Sequence, residues 1–478
     1  MKFISRSVFI VLSAGIMSIC FLSACQQKKA QEKKPNIIYI LADDLGYGDL
    51  GCYGQEIIKT PNLDKLAAEG MKFTHHYAGC NVCAPSRCVL MTGLSTAHSQ
   101  VRGNSQGKPY GQVPLAENTT TIATLLKSAG YSTALIGKWG LGVESNSGNP
   151  LKQGFDYYYG YLCQILAHNH CPEYLMENDK KVYLDNKVIW DDTTSWTKGL
   201  GSYPIERKQF SQELFTSKAL SFIEENKDKP FFLYLASIIP HVNGEAPKGK
   251  WASDIPSFAP YENESWSEEE KGYAAMITYL DTDIGKIVDK LKNLGIEENT
   301  LIIFSSDNGA SPILKGFKRF QSNGPWRGGK GDFYEGGIRV PMIVKWKGTI
   351  KPGSISNHAS AFWDVLPTIC DIAGIETPEN IDGISFLPEL LGKKQKKHEY
   401  FYFENSGGKR STKQAIIKGD WKCIRFKIRK TGETTVELYN MKDDPKEQNN
   451  IADKYPEKVE ELIRLMNSER TENERFKL

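Results

Sequence analysis

The chain has 478 residues, 40% of them hydrophobic and 24% charged, with a formal net charge of +3. This is ordinary globular composition, long enough for a large core and two domains. So small a net charge excludes the broad basic face of a nucleic-acid binder, and the lysine-rich runs 28–34 and 393–397 read as a solvated linker and a solvated loop.

The N-terminus reads as a targeting segment. Lys2 and Arg6 precede an apolar stretch over 8–22, and small residues lead up to Cys25. A basic region, an apolar region and a small-residue cleavage site make a secretory signal. Leu22-Ser23-Ala24-Cys25 also resembles a bacterial lipobox. That resemblance implies that Cys25 is lipidated and becomes the mature N-terminus. Residues 1–25 are therefore taken as a lipoprotein signal and 26–34 as a linker. The apolar stretch is short for a membrane span and a polar linker follows at once. The expectation is an exported protein, in the periplasm or on the outer membrane, touching the membrane only through its lipid.

The body opens with a continuous apolar run over 36–41, which suits a strand buried on both faces of a parallel sheet. It ends in Asp43-Asp44-Leu45-Gly46. Residues 60–70 predict a helix with Thr60 at the N-cap, Pro61 in the first turn and Gly70 closing it. Helices at 121–128, 212–225 and 273–291 then alternate with strands at 131–136, 231–238 and 301–305. Such alternation predicts an α/β fold, a mainly parallel sheet sandwiched by helices. Ligands in such folds gather at the carboxyl ends of strands. Asp43, Asp44, Lys138, His241, Asp307 and Asn308 all fall there.

After about Gly353 the pattern changes. Residues 361–373 read as helix; 400–403, 414–417, 421–426 and 436–439 read as short strands, and 455–469 as a final helix. A smaller C-terminal α+β subdomain of antiparallel strands is expected over 354–478, behind a catalytic domain over 35–353. Of the ten cysteines, setting aside Cys20, Cys25 and Cys83 leaves an odd number. Cys163 and Cys171 are the closest-spaced disulfide candidate outside the motif region. Cys80-x-x-Cys83 is a lone CxxC without the second pair that a zinc site needs.

Asp43 and Asp44 share one strand end, and neighbouring acids in one cavity repel unless a cation neutralises them. With Asp307 and Asn308 they offer an oxygen-only donor set, which points to a hard ion, Ca²⁺ or Mg²⁺. Asp43-Asp44-Leu45-Gly46, Cys83-Ala84-Pro85-Ser86-Arg87, Thr92-Gly93, Gly137-Lys138-Trp139, Pro240-His241, Ser306-Asp307-Asn308-Gly309 and Gly329-Lys330-Gly331 stand in this order along the chain. Together they resemble the successive blocks of a type I sulfatase, a formylglycine-dependent family of the alkaline phosphatase superfamily, and in particular bacterial carbohydrate sulfatases. The resemblance runs from Pro35 to about Pro456.

The resemblance implies a mechanism. A maturase oxidises Cys83 to formylglycine, whose hydrated aldehyde attacks sulfur and displaces the alcohol. Asp43, Asp44, Asp307 and Asn308, with the residue-83 oxygen, hold Ca²⁺. Arg87 orients the nucleophile, Lys138 and Lys330 neutralise sulfate oxygens, and His241 protonates the leaving oxygen. One block departs from the family. Many members read Gly-Lys-Trp-His-Leu-Gly, the histidine taking the proton during sulfate elimination, whereas this chain has Gly140 there. The glycine leaves space for a histidine from another loop, His168 or His170, with His168 preferred.

The block Gly160-Tyr161-Leu162-Cys163-Gln164-Ile165-Leu166-Ala167-His168 resembles enzymes acting on sulfated galactose or N-acetylgalactosamine, often at O4. The expected partner is a sulfated host or algal glycan, with Arg102, Asn104, His168 and Glu335 as substrate contacts. The alternatives are a phosphonate or phosphate ester hydrolase of the same superfamily, or a non-catalytic glycan-binding relative.

Overall fold

The computed structural model describes residues 34–107, 110–192, 199–313, 316–406, 412–428 and 434–478. The signal segment and Cys25 lie outside the described residues. Among the described residues, no helix is long and apolar enough to cross a membrane.

The strands in chain order are β1 (Asn36–Asp43), β2 (Met71–Tyr77), β3 (Ser132–Lys138), β4 (Tyr157–Tyr161), β5 (Tyr174–Glu177), β6 (Lys180–Tyr183), β7 (Lys187–Trp190) and β8 (Ser202–Glu206). They continue with β9 (Phe231–Pro240), β10 (Thr300–Ser306), β11 (Arg339–Trp346), β12 (Ser354–Ser356), β13 (Ser360–Ala361), β14 (Phe401–Asn405), β15 (Lys413–Lys418), β16 (Trp421–Phe426) and β17 (Thr435–Asn440). An 11-stranded mixed sheet runs in the order β12-β2-β11-β10-β1-β9-β3-β4-β5-β6, with β13 beside β2. Its centre, β10-β1-β9-β3-β4, is parallel throughout.

Period-two packing explains that centre. Ile37, Tyr39 and Leu41 enter one apolar cluster with helices Cys83–Thr92, Ile122–Ser128 and Val365–Ala373. Ile38, Ile40 and Ala42 enter the opposite cluster with helices Pro61–Glu69, Ser211–Glu225 and Glu268–Asn293. A strand buried on both faces reads as an unbroken apolar run, as this one does. Register then aligns the strand ends: Ala42 lies across from Ser306, Asp43 from Pro240, and Gly137 from Ala236. Gly137 has φ +111°, and a Cβ there would fall 1.9 Å from the Ala236 carbonyl oxygen. Only glycine lets β3 lie that close to β9.

The β14-β15-β16-β17 sheet is antiparallel and buried on both faces. Phe401, Phe403, Ala415 and Ile424 pack into the body, while Tyr402, Ile416, Cys423 and Leu438 pack under helix Pro456–Glu469 through Leu462 and Met466. The sheet belongs to one unit with the body, Pro35–Leu478. A dry ion cluster helps join them: Lys422 Nζ on β16 lies 2.9 Å from Glu335 Oε1 and 2.7 Å from Glu447 Oε1.

Several local expectations change. Thr60 precedes its helix, but its hydroxyl accepts from Gly51 N and donates to Asp64 rather than capping. The helix predicted at 273–291 begins earlier, at Glu268, because Ser267 and Glu270 form a capping box. Residues 361–373 divide into a 3₁₀ turn, Phe362–Asp364, and helix Val365–Ala373. Cys163 and Cys171 are free buried thiols, as is Cys80, and all eight described cysteines are unpaired. Cys171 Sγ instead points at the Asp254 carbonyl, 3.8 Å away.

Breaking the joint tests its weight. Lys422→Met would leave Glu335 and Glu447 buried without their shared cation, a change that costs about 3–5 kcal/mol. Chemical denaturation should show that loss; an unchanged unfolding midpoint would mean the cluster contributes nothing.

Candidate active site

Four strand ends and one helix start meet at a single point. Asp43 ends β1, Lys138 ends β3, His241 follows β9, and Asp307-Asn308 follow β10. Asp44 adopts φ +64°, a conformation rare for a residue with a Cβ. Its amide reaches Asp307 Oδ1 at 3.2 Å and the next amide, Leu45 N, reaches Ser306 Oγ at 3.0 Å, which hold the turn. Cys83 opens helix Cys83–Thr92, all of whose residues are buried. The Ala84 amide of that first turn donates to Asn104 Oδ1 at 3.1 Å. A helix start presents unpaired N–H groups and partial positive charge, which favour an anion beside residue 83.

Charges alternate through this dry cluster. Arg87 Nε and Nη2 reach Asp307 Oδ2 at 3.1 and 2.8 Å, and Nη1 donates to the Lys138 carbonyl at 2.8 Å. Lys138 Nζ sits 2.6 Å from Asp43 Oδ2, and Lys330 Nζ sits 2.7 Å from Asp44 Oδ2. Burial alone would raise the Asp43 carboxyl, but Lys138, His241, Arg87 and Lys330 together hold it well below the usual range. Burial and the Asp43 charge push Asp307 up to about 7, in spite of Arg87. Burial pushes the Cys83 thiol up to about 11, so it is protonated at neutral pH.

His241 has a defined tautomer. Its Nδ1 lies 2.8 Å from the Val242 carbonyl, which can only accept, so Nδ1 carries the proton. Nε2 therefore accepts from Lys330 Nζ at 3.0 Å. Burial and the Lys330 charge push this imidazole well below its usual value, leaving it neutral.

The donor set fits a hard cation. Asp43 Oδ1 and Asn308 Oδ1 are buried with no hydrogen-bond partner. One ligand atom each from Asp43, Asp44, Cys83 and His241 also lies within 4.8 Å of the others. A divalent ion among these oxygens would relieve the repulsion that raises Asp307.

A cavity of about 490 Å³ opens onto this point, lined among others by Asp44, Cys83, Asn104, Lys138, Gln164, His168, His241 and Lys330. His168 stacks on His241 with ring centroids 4.6 Å apart, and its Nδ1 lies 3.0 Å from Glu245 Oε2. Two expected substrate contacts are elsewhere. Arg102 is buried and spends its guanidinium on the Ser99 carbonyl and on Thr471. Glu335 is fully buried between Lys422 and Arg339 in the joint with the C-terminal sheet. His170 does not fill the space at Gly140. It is buried against Phe210, and burial pushes it down to about 4.

Gln164 fills that space. A Cβ built on Gly140, which has φ +85°, would lie 2.5 Å from Gln164 Cγ and 2.6 Å from its Nε2. Sequence reasoning passed over this residue, although Gly140 itself signalled that another side chain must close the gap.

A family model described as Sulfatase matches residues 35–375, and one described as N-sulphoglucosamine sulphohydrolase, C-terminal, matches 329–475. The chain belongs to the sulfatase family. It is a sulfuric ester hydrolase, and its sheet is the alkaline-phosphatase-like sheet of that family. This sulfatase is 30% identical to an N-acetylgalactosamine-6-O-sulfatase of Bacteroides thetaiotaomicron, over 95% of the chain and 97% of the relative. It is 32% identical to the human N-acetylgalactosamine-6-sulfatase, over 77% of the chain and 68% of the relative. Among solved structures it resembles a sulfatase from work on glycosaminoglycan metabolism by Bacteroides thetaiotaomicron, with TM-score 0.74 and 29% identity over 91% of the chain and 99% of that protein. It also resembles Ps i-CgsB in complex with k-i-k-neocarrahexaose, with TM-score 0.72 and 29% identity over 91% and 92% of the two chains.

The Gly140 contact can be tested alone. Gly140→Ala puts a Cβ into the Gln164 side chain at a positive φ, costing about 1–3 kcal/mol. A lowered thermal midpoint in this sulfatase is expected; wild-type melting would show that Gln164 is not seated there.

Proposed function

We propose that this sulfatase removes sulfate from sulfated galactose or N-acetylgalactosamine residues of glycans, using formylglycine at position 83 and Ca²⁺ held by Asp43, Asp44, Asp307 and Asn308. The observation that carries the reading is the convergence of a buried helix-start cysteine, an oxygen-rich acid cluster and the cations of Lys138 and Lys330 on one cavity, with Arg87 behind them on Asp307. A thiol pushed up to about 11 is a poor nucleophile at neutral pH, which favours an oxidised residue 83 made by a maturase. When bound, the ion supplies Lewis-acid polarisation of the sulfate and of the residue-83 oxygen.

The chain's own groups then divide the work. Arg87, clamped to Asp307, fixes the wall behind residue 83. Lys138 and Lys330 face the sulfate oxygens and neutralise charge as the S–O bond breaks. Proton delivery to the leaving oxygen belongs to the Lys330–His241 pair, because His241 Nε2 receives a hydrogen bond from Lys330 Nζ and is neutral. His168, oriented by Glu245, is the base that releases sulfate from residue 83.

The relatives named for N-acetylgalactosamine 6-sulfate cover most of the chain, so the reading moves from the O4 expected above to O6. A cavity of about 490 Å³ suits one sulfated sugar residue. Secretion and a lipid anchor at Cys25 complete the proposal, which places the enzyme where large glycans are met.

Substrate panels, chelation, mass spectrometry and two variants check this reading. Position-defined sulfated sugars should release sulfate from the 6-O-sulfates at least about 10-fold faster than from the 4-O-sulfates, a gap of about 1.4 kcal/mol. Turnover of phosphate or phosphonate esters alone would replace the reading with its alternative. Chelation should remove activity and Ca²⁺ restore it, with peptide mass spectrometry finding residue 83 as the aldehyde. His168→Ala should lower kcat by about 10²–10⁴-fold. Glu245→Gln should lower it less; unchanged turnover in both would remove His168 from the mechanism.

A further inference from the structure

We propose that Gln164 is a sulfate-binding residue of this enzyme, its carboxamide N–H₂ donating to a non-bridging sulfate oxygen at the floor of the cavity. The inference rests on the proposed function and adds a residue to the same site.

Three observations carry it. Gln164 is 4% exposed, and its Nε2 is buried with no hydrogen-bond partner. An unmade hydrogen bond on a buried amide costs about 1–3 kcal/mol, so a group left in this state points to a ligand. The backbone around it is also held in place. Gln164 N donates to Gln112 Oε1 at 2.7 Å, Gly140 N donates to the Leu162 carbonyl at 3.0 Å, and Gly140 offers no side chain to displace the carboxamide.

Depth identifies the acceptor. The cavity rim carries the exposed residues Asn104, Gln106, Gly244 and Ile313. Gln164 lines the floor with the buried Cys83, Lys138 and His241. A sugar ring stays nearer the rim while its ester reaches residue 83, so the oxygens at floor level are those of the sulfate. Lys138 and Lys330 each already face a carboxylate, at 2.6 and 2.7 Å. Gln164 differs from them in being a neutral donor with nothing else to satisfy.

The test uses Gln164→Met, which keeps the volume and removes the donors, and Gln164→Glu, which sets a carboxylate against the sulfate. Each is assayed on a small aryl sulfate and on a sulfated sugar. Gln164→Met should lower kcat/KM by about 10–100-fold on both substrates, the loss expected for one hydrogen bond to a charged group. Gln164→Glu should lower it further, and inorganic sulfate should inhibit Gln164→Met at least about tenfold more weakly. Unchanged kcat/KM on the aryl sulfate overturns the proposal, as does a loss confined to the sugar, which would make Gln164 a sugar contact. Should the wild-type enzyme hydrolyse neither ester, the proposed function fails while this inference is still decided by calorimetry of inorganic sulfate. About tenfold weaker binding to Gln164→Met supports it, and equal binding overturns it.

Discussion

Three carboxylates share one water-poor pocket, and their mutual repulsion is the constraint that the rest of the site answers. Asp43, Asp44 and Asp307 are almost wholly buried at adjacent strand ends. Without compensation at least one would remain protonated, and Asp307 shows that tendency in its raised pKa. Arg87, Lys138 and Lys330 each oppose one of them. Two buried oxygens, on Asp43 and Asn308, nonetheless remain without hydrogen bonds. Balanced in this way, the pocket sets fixed positive groups beside an oxygen-rich donor set, an arrangement that suits a hard cation and an anionic ester side by side.

That balance needs a scaffold that does not yield. Parallel strands buried on both faces provide it: β10, β1, β9 and β3 end side by side, so acids, lysine and histidine stand at the strand ends or in the one or two residues after them, along one edge. The helix that carries residue 83 is packed on every side. Behind it the C-terminal sheet is tied in by Lys422 between Glu335 and Glu447, and by Arg470 on Glu404 at 2.8 Å. These joints are dry ion pairs, whose value lies in geometry more than in net stability. The wall beside the helix of residue 83 is therefore fixed by residues more than 300 positions further along the chain, as in the contact from Cys80 Sγ to the Glu404 carbonyl at 3.3 Å.

What the sequence revealed follows from this architecture. Asp43, Lys138, His241 and Asp307 were legible because each closes an apolar run that only a buried parallel strand explains. The helix at Cys83 was not, since a helix buried all round has no apolar stripe to betray it. Arg102 and Glu335 were misread for a related reason. A charged residue near a motif invites a functional reading, but their partners, Thr471 and Lys422, lie far away in sequence and no local pattern announces the pairing. Strands β4 to β8 were passed over because they are short and their turns mixed with loop residues.

Gly140 shows how one missing side chain redistributes chemistry. A histidine at that position would serve as both donor and base beside residue 83. Gln164 occupies the same space, and a carboxamide can donate but cannot take up a proton near neutral pH. The proposed mechanism passes proton acceptance to His168, which stands four residues further on, stacked on His241 and anchored by Glu245. In the proposed mechanism one loop supplies the donor and the base as separate side chains, and Gln112 fixes that loop at the Gln164 amide. The two functions then no longer share one imidazole, so a substitution at either residue can disturb one without removing the other. In a histidine-bearing site the two would change together, whereas here they are free to separate.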